Sequence, residues 1–401
     1  MKYPFATRVQ GITSSAVRDL LKIIQSGNVI SFAGGLPDEA LFPVQELELA
    51  YQKVFRSGGK YLQYGPTEGD SELRMLIQER LREKGIISSL ENILVTTGSQ
   101  QAIDLLAKVF LTAGDTILVE NPSYLAALQA FQLYEANIIA VKSDRDGMIP
   151  EDLEEKIIAH SPKFIYVVPT FSNPEGKVWS KKRREALLQL AAKHKVVIVE
   201  DDPYSDLRFT EEQPVPLASM DADGNHVIYT STFSKTVAPG VRIGWMTGPK
   251  EVIRMGALSK QSTDLHTSSI DQRAMYYFLQ DFPTRPHLDR LREEYRHRSR
   301  VMQEYLSKSG QNLFHWVEPQ GGMFLWLSIN RAIDTAELLE VAVQEGVAFV
   351  PGASFFTGQP ERNTLRLNYT HATPDVIETG MGRLMTAIDK VLASRLAKPI
   401  S

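Results

Sequence analysis

From about residue 90 onward, short β-branched and apolar runs alternate with stretches whose apolar positions recur at helical spacing. NILVTT (92–97) predicts a strand that Gly98 ends. Behind it Ala102, Leu105, Leu106, Val109 and Phe110 fall at i, i+3, i+4, i+7 and i+8, the stripe of an amphipathic helix. TILVE (116–120) predicts the next strand, with a helix opening in PSYLAALQAF. FIYVVP (164–169), SKKRREALLQLAAKH (180–194), KVVIVE (195–200) and HVIYTST (226–232) read as strand, helix, strand and strand. This alternation predicts an α/β architecture, a mostly parallel central sheet flanked by helices on both faces. In such sheets ligands bind beyond the carboxyl ends of the strands.

Past about residue 280 the texture changes. LDRLREEYRHRSRVMQEYLSK predicts a long charged helix, followed by shorter strands at MFLWLSI (323–329), VAFVP (347–351) and TLRLNY (364–369). The expected division is an N-terminal arm over 1–40 packing with the small domain, a large domain over 41–285, and a smaller α+β C-terminal domain over 286–401.

Composition removes several function classes. In 401 residues, 43% hydrophobic and 23% charged content are ordinary for a globular chain, and a net charge of −4 points to neither nucleic acid nor an acidic membrane as partner. Zero cysteines exclude disulfides, thiolate metal sites and cysteine nucleophiles. MKYPFATRVQ lacks the apolar core of a signal peptide, and no run approaches the ~18 apolar residues of a membrane helix. A cytoplasmic enzyme is the expectation. There is no HExxH, and Gly176-Lys177 lacks the upstream glycine of a P-loop, since Phe171 stands there.

The candidate chemistry sits at the strand ends. After the first strand, Gly98-Ser99-Gln100-Gln101 opens a helix whose free N–H groups suit phosphate, or is a plain glycine turn with Ser99 as N-cap. Tyr124 offers a ring to a flat ligand, and Asn173 an amide in the turn Ser172-Asn173-Pro174-Glu175-Gly176. Glu200-Asp201-Asp202-Pro203-Tyr204 delivers an acid that needs a partner if buried. Thr232, Ser234 and Lys235 end the last strand, with Arg242 seven residues on. Lys235 alone fits a turn lysine with its head in water. A desolvated lysine instead loses its charge readily and becomes a carbonyl nucleophile. Together these parts suit pyridoxal 5′-phosphate, whose aldehyde takes a lysine, whose ring nitrogen takes a carboxylate, and whose phosphate must be anchored.

The ordered motifs SFAGGLPDEALFP, LQYGPTEGDSELR, TTGSQQAIDL, NPSY, SNPEG, VEDDPY, TFSKTVAPGVRIGW, GGMFLW, VAFVPG and NTLRLNY span nearly the whole chain. The chain resembles the fold-type I pyridoxal-phosphate aminotransferases, above all the group containing 2-aminoadipate and kynurenine/aminoadipate aminotransferases. The resemblance implies that Ser99, Gln100, Thr232, Ser234 and Arg242 hold the phosphate, joined by Tyr64 from a neighbouring subunit of a homodimer. It implies that Tyr124 stacks on the ring, Asn173 and Tyr204 bond its oxygen, and Asp201 pairs with its nitrogen. Lys235 would form the internal aldimine and shuttle the proton. Arg366 would clamp the substrate carboxylate, with Asn173 and the Gly35 backbone nearby. Arg18, with Ser15 beside it, stands where that group recognises a distal acid, or is a solvated helix arginine. Glu175 departs from the threonine usual in the family's turn.

The implied activity is amino transfer from an aminoadipate, aromatic or branched aliphatic amino acid to 2-oxoglutarate by a ping-pong mechanism. Racemisation or β-elimination on the same scaffold is the alternative, since all three share a Cα carbanion. Related domains also serve as effector-binding halves of winged-helix regulators. With only about 30 residues ahead of SFAGGLP, that role is not expected.

Overall fold

The apolar runs assemble into one mixed sheet of seven strands. In chain order these are β1 (Ile93–Thr96), β2 (Thr116–Glu120), β3 (Asn137–Val141), β4 (Phe164–Val167), β5 (Val197–Asp201), β6 (Val227–Thr232) and β7 (Gly244–Thr247). Their spatial order is β1-β7-β6-β5-β4-β2-β3. All neighbours pair in parallel except β7, which runs antiparallel to both β1 and β6. The structure, a computed structural model, describes residues 3–10, 29–309, 313–330 and 333–396. Ser15 and Arg18 lie outside the described residues.

Strands covered on both faces keep their side chains out of water, and β1, β4 and β6 are buried at every position. Helices α1 (Val44–Arg56), α2 (Ser71–Glu83) and α3 (Ser99–Phe110) come before or just after β1, and α4 (Leu125–Leu133) follows β2. On one face Leu73, Ile77 and Leu81 of α2 pack with Tyr229, Phe233 and Trp245. On the other, Ala102, Ile103 and Leu106 of α3 pack with Phe131, Phe164 and Tyr166. Asp70 caps α2 by accepting from the N–H groups of Glu72 and Leu73, a bond worth about 1 kcal/mol.

A second sheet of four antiparallel strands follows, in the order β8 (Phe314–Trp316), β9 (Phe324–Ile329), β11 (Thr364–Asn368), β10 (Val350–Pro351). The long charged helix is α5 (Thr284–Ser309), and α6 (Pro374–Leu396) ends the described chain. VAFVP is not one strand. Val347–Ala348 pairs in parallel with Ile30–Ser31, whereas Val350–Pro351 joins the four-stranded sheet. The segment after Ile30 is stitched to this sheet, since Asn368 donates its N–H to Phe32 O at 2.8 Å.

Two strands of the seven-stranded sheet escaped the sequence reading. GWMT, in β7, is a four-residue run behind a Pro-Gly turn, too short to stand out. NIIAV, in β3, is the sheet's edge and only its last residue is fully buried.

Candidate active site

The ends of β1, β2, β5 and β6 open onto one cavity of about 300 Å³. Gly35, Ser99, Gln100, Tyr124, Asn173 and Asp201 line it, together with Tyr204, Thr232, Ser234, Lys235, Arg242 and Arg366. Tyr64 does not: it is 79% exposed, its ring set edge-on to His266.

The β1–α3 turn makes the floor. Gly98 caps α3 with φ +79°, so glycine, not Ser99, holds the N-cap position. A Cβ at Gly98 would lie 2.4 Å from Arg242 Nη2, and one at Gly244 would lie 2.8 Å from Ser99 N. Side chains at either place would push the guanidinium and the helix start apart, so the two glycines create an anion cradle. Arg242 Nη1 donates to Ser234 Oγ at 3.3 Å, and Ser234 Oγ and Thr232 Oγ1 lie 2.8 Å apart. Two hydroxyls, a guanidinium and helix N–H groups therefore converge.

Asp201 ends β5, wholly inside the protein. Its Oδ2 accepts from Tyr166 at 2.8 Å, while its Oδ1 has no partner among the described residues. Burial lifts its carboxyl to about 7, opposed by the Tyr166 hydrogen bond and reinforced by the charge of Asp202. A carboxylate so poised accepts one N–H donor from the cavity and ionises when it does. Sequence reading missed Tyr166, because a tyrosine inside an apolar strand carries no signal beyond packing.

Lys235 follows β6, and its Nζ donates to Gly35 O at 2.8 Å. Burial pulls its ammonium down to about 8, helped by the positive charges of Arg366 and Arg242. With its Nζ bonded to Gly35 O in the cavity this lysine does not extend into open water, and at pH 7 about one molecule in ten carries the neutral amine.

Arg366, on β11, completes the far wall. Its Nη1 donates to Asn173 Oδ1 at 2.7 Å and its Nη2 to Ala33 O at 2.6 Å, while Nε has no partner among the described residues. The guanidinium carbon lies 4.2 Å from the Phe324 ring centroid and 5.0 Å from that of Phe355. Burial lowers even this guanidinium to about 10, against the pull of Tyr204 and Tyr124. A buried cation stacked between rings, with no carboxylate partner among the described residues, suits an anionic ligand. Tyr124 is pushed up to about 12 by burial and then by Asp201, and Tyr204 is raised by burial, so both phenols stay protonated donors.

The turn bearing Asn173 explains the unexpected Glu175. Its carboxylate, pushed up by burial, pairs with Lys177 at 2.5 Å. The buried Arg184 grips both ends of the same turn, donating to Pro169 O at 2.7 Å, Thr170 Oγ1 at 3.0 Å and Trp179 O at 3.3 Å. Among the described residues no His/Cys/Asp/Glu group could hold a metal ion, and no helix is long and apolar enough to cross a membrane.

A family model described as aminotransferase class I and II matches residues 28–384. The chain is similar to aromatic-amino-acid aminotransferase 1 of Thermococcus litoralis, 40% identical over 96% of this chain and 94% of that protein. Among solved structures, it is similar to the kynurenine aminotransferase of Pyrococcus horikoshii in complex with PMP, with TM-score 0.92 and 39% identity over 97% of this chain and 98% of that one. It is also similar to the alpha-aminoadipate aminotransferase of Thermus thermophilus complexed with N-(5′-phosphopyridoxyl)-L-leucine, with TM-score 0.91 and 36% identity over 97% and 98% of the two chains.

Proposed function

Since the chain belongs to the class I and II aminotransferases, we propose that it moves the amino group of an aminoadipate, aromatic or branched aliphatic amino acid to 2-oxoglutarate in two half-reactions. The enzyme is a pyridoxal 5′-phosphate-dependent aminotransferase. The observation that carries the reading is the open Oδ1 of Asp201 in the same cavity as a lysine held near 8. The first awaits the ring nitrogen and the second the aldehyde.

In this reading Ser99, Gln100, Thr232, Ser234 and Arg242 hold the phosphate, and Tyr64 of a second subunit reaches it across a homodimer. Tyr124 stacks on the ring, while Asn173 and Tyr204 donate to its oxygen. Bound there, pyridoxal 5′-phosphate supplies an electron-withdrawing ring that stabilises negative charge on the substrate Cα. The protein does the rest. Arg366, with Asn173 and the Gly35 backbone, takes the substrate carboxylate and so fixes which Cα bond faces Lys235. Lys235 Nζ, kept uncharged by desolvation and so free to accept, takes the Cα proton and carries it during the exchange. Arg18 and Ser15 read a distal acid on the substrate.

Support for the aromatic branch is the walling of the cavity by Phe324 and Phe355 beside Arg366. The test is a single half-reaction. Protein loaded with pyridoxal 5′-phosphate and given only an amino acid should release one equivalent of 2-oxo acid per site. Release of the inverted amino acid with no oxo acid would overturn the assignment in favour of racemisation.

A further inference from the structure

Asp201 and Asp202 are adjacent, both about 2% exposed, and the sheet sends them to opposite faces. Asp201 meets Tyr166, on the α3 side, and Asp202 meets Tyr229, on the α2 side. Their environments could hardly differ more. Asp201 keeps one oxygen free, whereas Asp202 accepts from Ser205 N–H at 3.0 Å, Ser205 Oγ at 2.6 Å and Tyr229 at 2.7 Å. Ser231 Oγ also holds the Asp202 carbonyl at 2.7 Å.

The counter-charge comes from Lys84, the C-cap residue of α2. Its Nζ donates to Ser205 Oγ at 2.6 Å and lies 3.4 Å from Asp202 Oδ2 and 3.6 Å from Asp206 Oδ1. One turn back, Arg80 donates to Asp206 at 3.1 Å and lies 5.5 Å from the ring of Phe233, two residues before Lys235. The end of one helix thus grips the loops that follow both β5 and β6. No residue of this network lines the cavity.

We infer that Lys84 and Asp202 are positioning residues for the cofactor site: acting through Ser205, they fix the turn between Asp201 and Tyr204 from the far face of the sheet. This inference rests on the pyridoxal 5′-phosphate reading above. A buried carboxylate that loses its counter-ion repels any negative charge beside it and favours the protonated form of nearby bases. The charged groups around Asp202 are Lys84, Asp206, Arg80, Glu200, Arg184 and Asp201. Among the described residues Lys84 is the cation that faces Asp202 within ion-pair distance.

The experiment compares wild type, Ser205→Ala, Lys84→Met and the neutral pair Lys84→Met/Asp202→Asn. Each is titrated with pyridoxal 5′-phosphate, and the loaded protein is followed by its visible absorbance from pH 5 to 10. Lys84→Met should weaken cofactor binding roughly tenfold and raise the absorbance midpoint by on the order of half to one pH unit. Ser205→Ala should move both the same way by less. The neutral pair should return the midpoint to the wild-type value, which a merely structural role would not do. Should Lys84→Met fail to fold, Ser205→Ala decides: wild-type affinity and midpoint in that variant overturn the inference. Variants that melt earlier yet keep wild-type affinity and midpoint overturn it equally. Wild type that takes up no cofactor would refute the functional reading itself, a result separable from any of these.

Discussion

Tyr166→Phe tests how Asp201 is held, and its effect can be worked out in sign and size. The Tyr166 hydroxyl is the one donor to the Asp201 carboxylate among the described residues. Asp201 stands at about 7 against an ordinary 3.8. A carboxyl raised by folding weighs against the folded state once the pH passes its unfolded value, because the unfolded chain releases its proton first. The penalty grows up to the folded value and is constant above it. A gap of about three units corresponds to on the order of 4 kcal/mol in cofactor-free protein. A hydrogen bond to an ionised group is worth roughly 1.5–3 kcal/mol. Its loss lifts Asp201 by a further ~1–2 units, so the penalty keeps growing past pH 7 in the variant. Tyr166→Phe should therefore cost about 1.4 kcal/mol more at pH 8 than at pH 5, beyond any pH-independent packing loss. Urea unfolding at the two pH values measures this directly. Pyridoxal 5′-phosphate, by giving Asp201 an N–H partner, should narrow the difference. Equal destabilisation at pH 5 and pH 8 would refute the account of Asp201.

Other outcomes follow from the same cavity. Lys235→Ala should lower oxo-acid release by roughly 10²–10⁴-fold or more and abolish borohydride fixation of the cofactor to the protein. Arg366→Lys keeps the charge but loses the two-pronged geometry, and should raise KM for the amino acid roughly 10–100-fold with a smaller change in kcat, read from initial rates. The rate of cofactor attachment to wild-type protein should rise about tenfold per pH unit below pH 8 and level off above it, as the amine of Lys235 loses its proton. Stopped-flow absorbance checks this, and a rate indifferent to pH between 6 and 8 would contradict the lowered lysine.

The sheet was legible because buried parallel strands carry near-continuous apolar and β-branched runs, and HVIYTST, KVVIVE and FIYVVP show that pattern plainly. Strand ends in turn told where polar residues would meet, and the residues from Ser99 to Arg242 do converge on one cavity. Positions that depend on distant partners were not legible. Tyr166 looks like any strand tyrosine until Asp201 is placed beside it on the neighbouring strand. Lys84 looks like a surface lysine ending a helix, and only the packing of α2 on the sheet shows it to be 8% exposed. VAFVP reads as one strand because a change of sheet between Ala348 and Val350 leaves no trace in hydrophobicity. Glu175 looked anomalous until Lys177 was seen folded back on it.

The cavity draws on both extremities of the chain as well as its middle. Gly98 through Arg242 supply the helix start, the hydroxyls, the phenols, the acid and the amine, while Ala33 and Gly35 come from one end and Arg366 from the other. During synthesis the ribosome therefore releases the Gly98 turn, Asp201, Lys235 and Arg242 more than a hundred residues before Arg366. A nascent or C-terminally clipped polypeptide would carry the amine and the acid but leave Asn173 Oδ1 and Ala33 O without the guanidinium that bridges them. The pocket is thus the last part of this enzyme to close, because its far wall waits on a contact between residues 333 apart in the sequence.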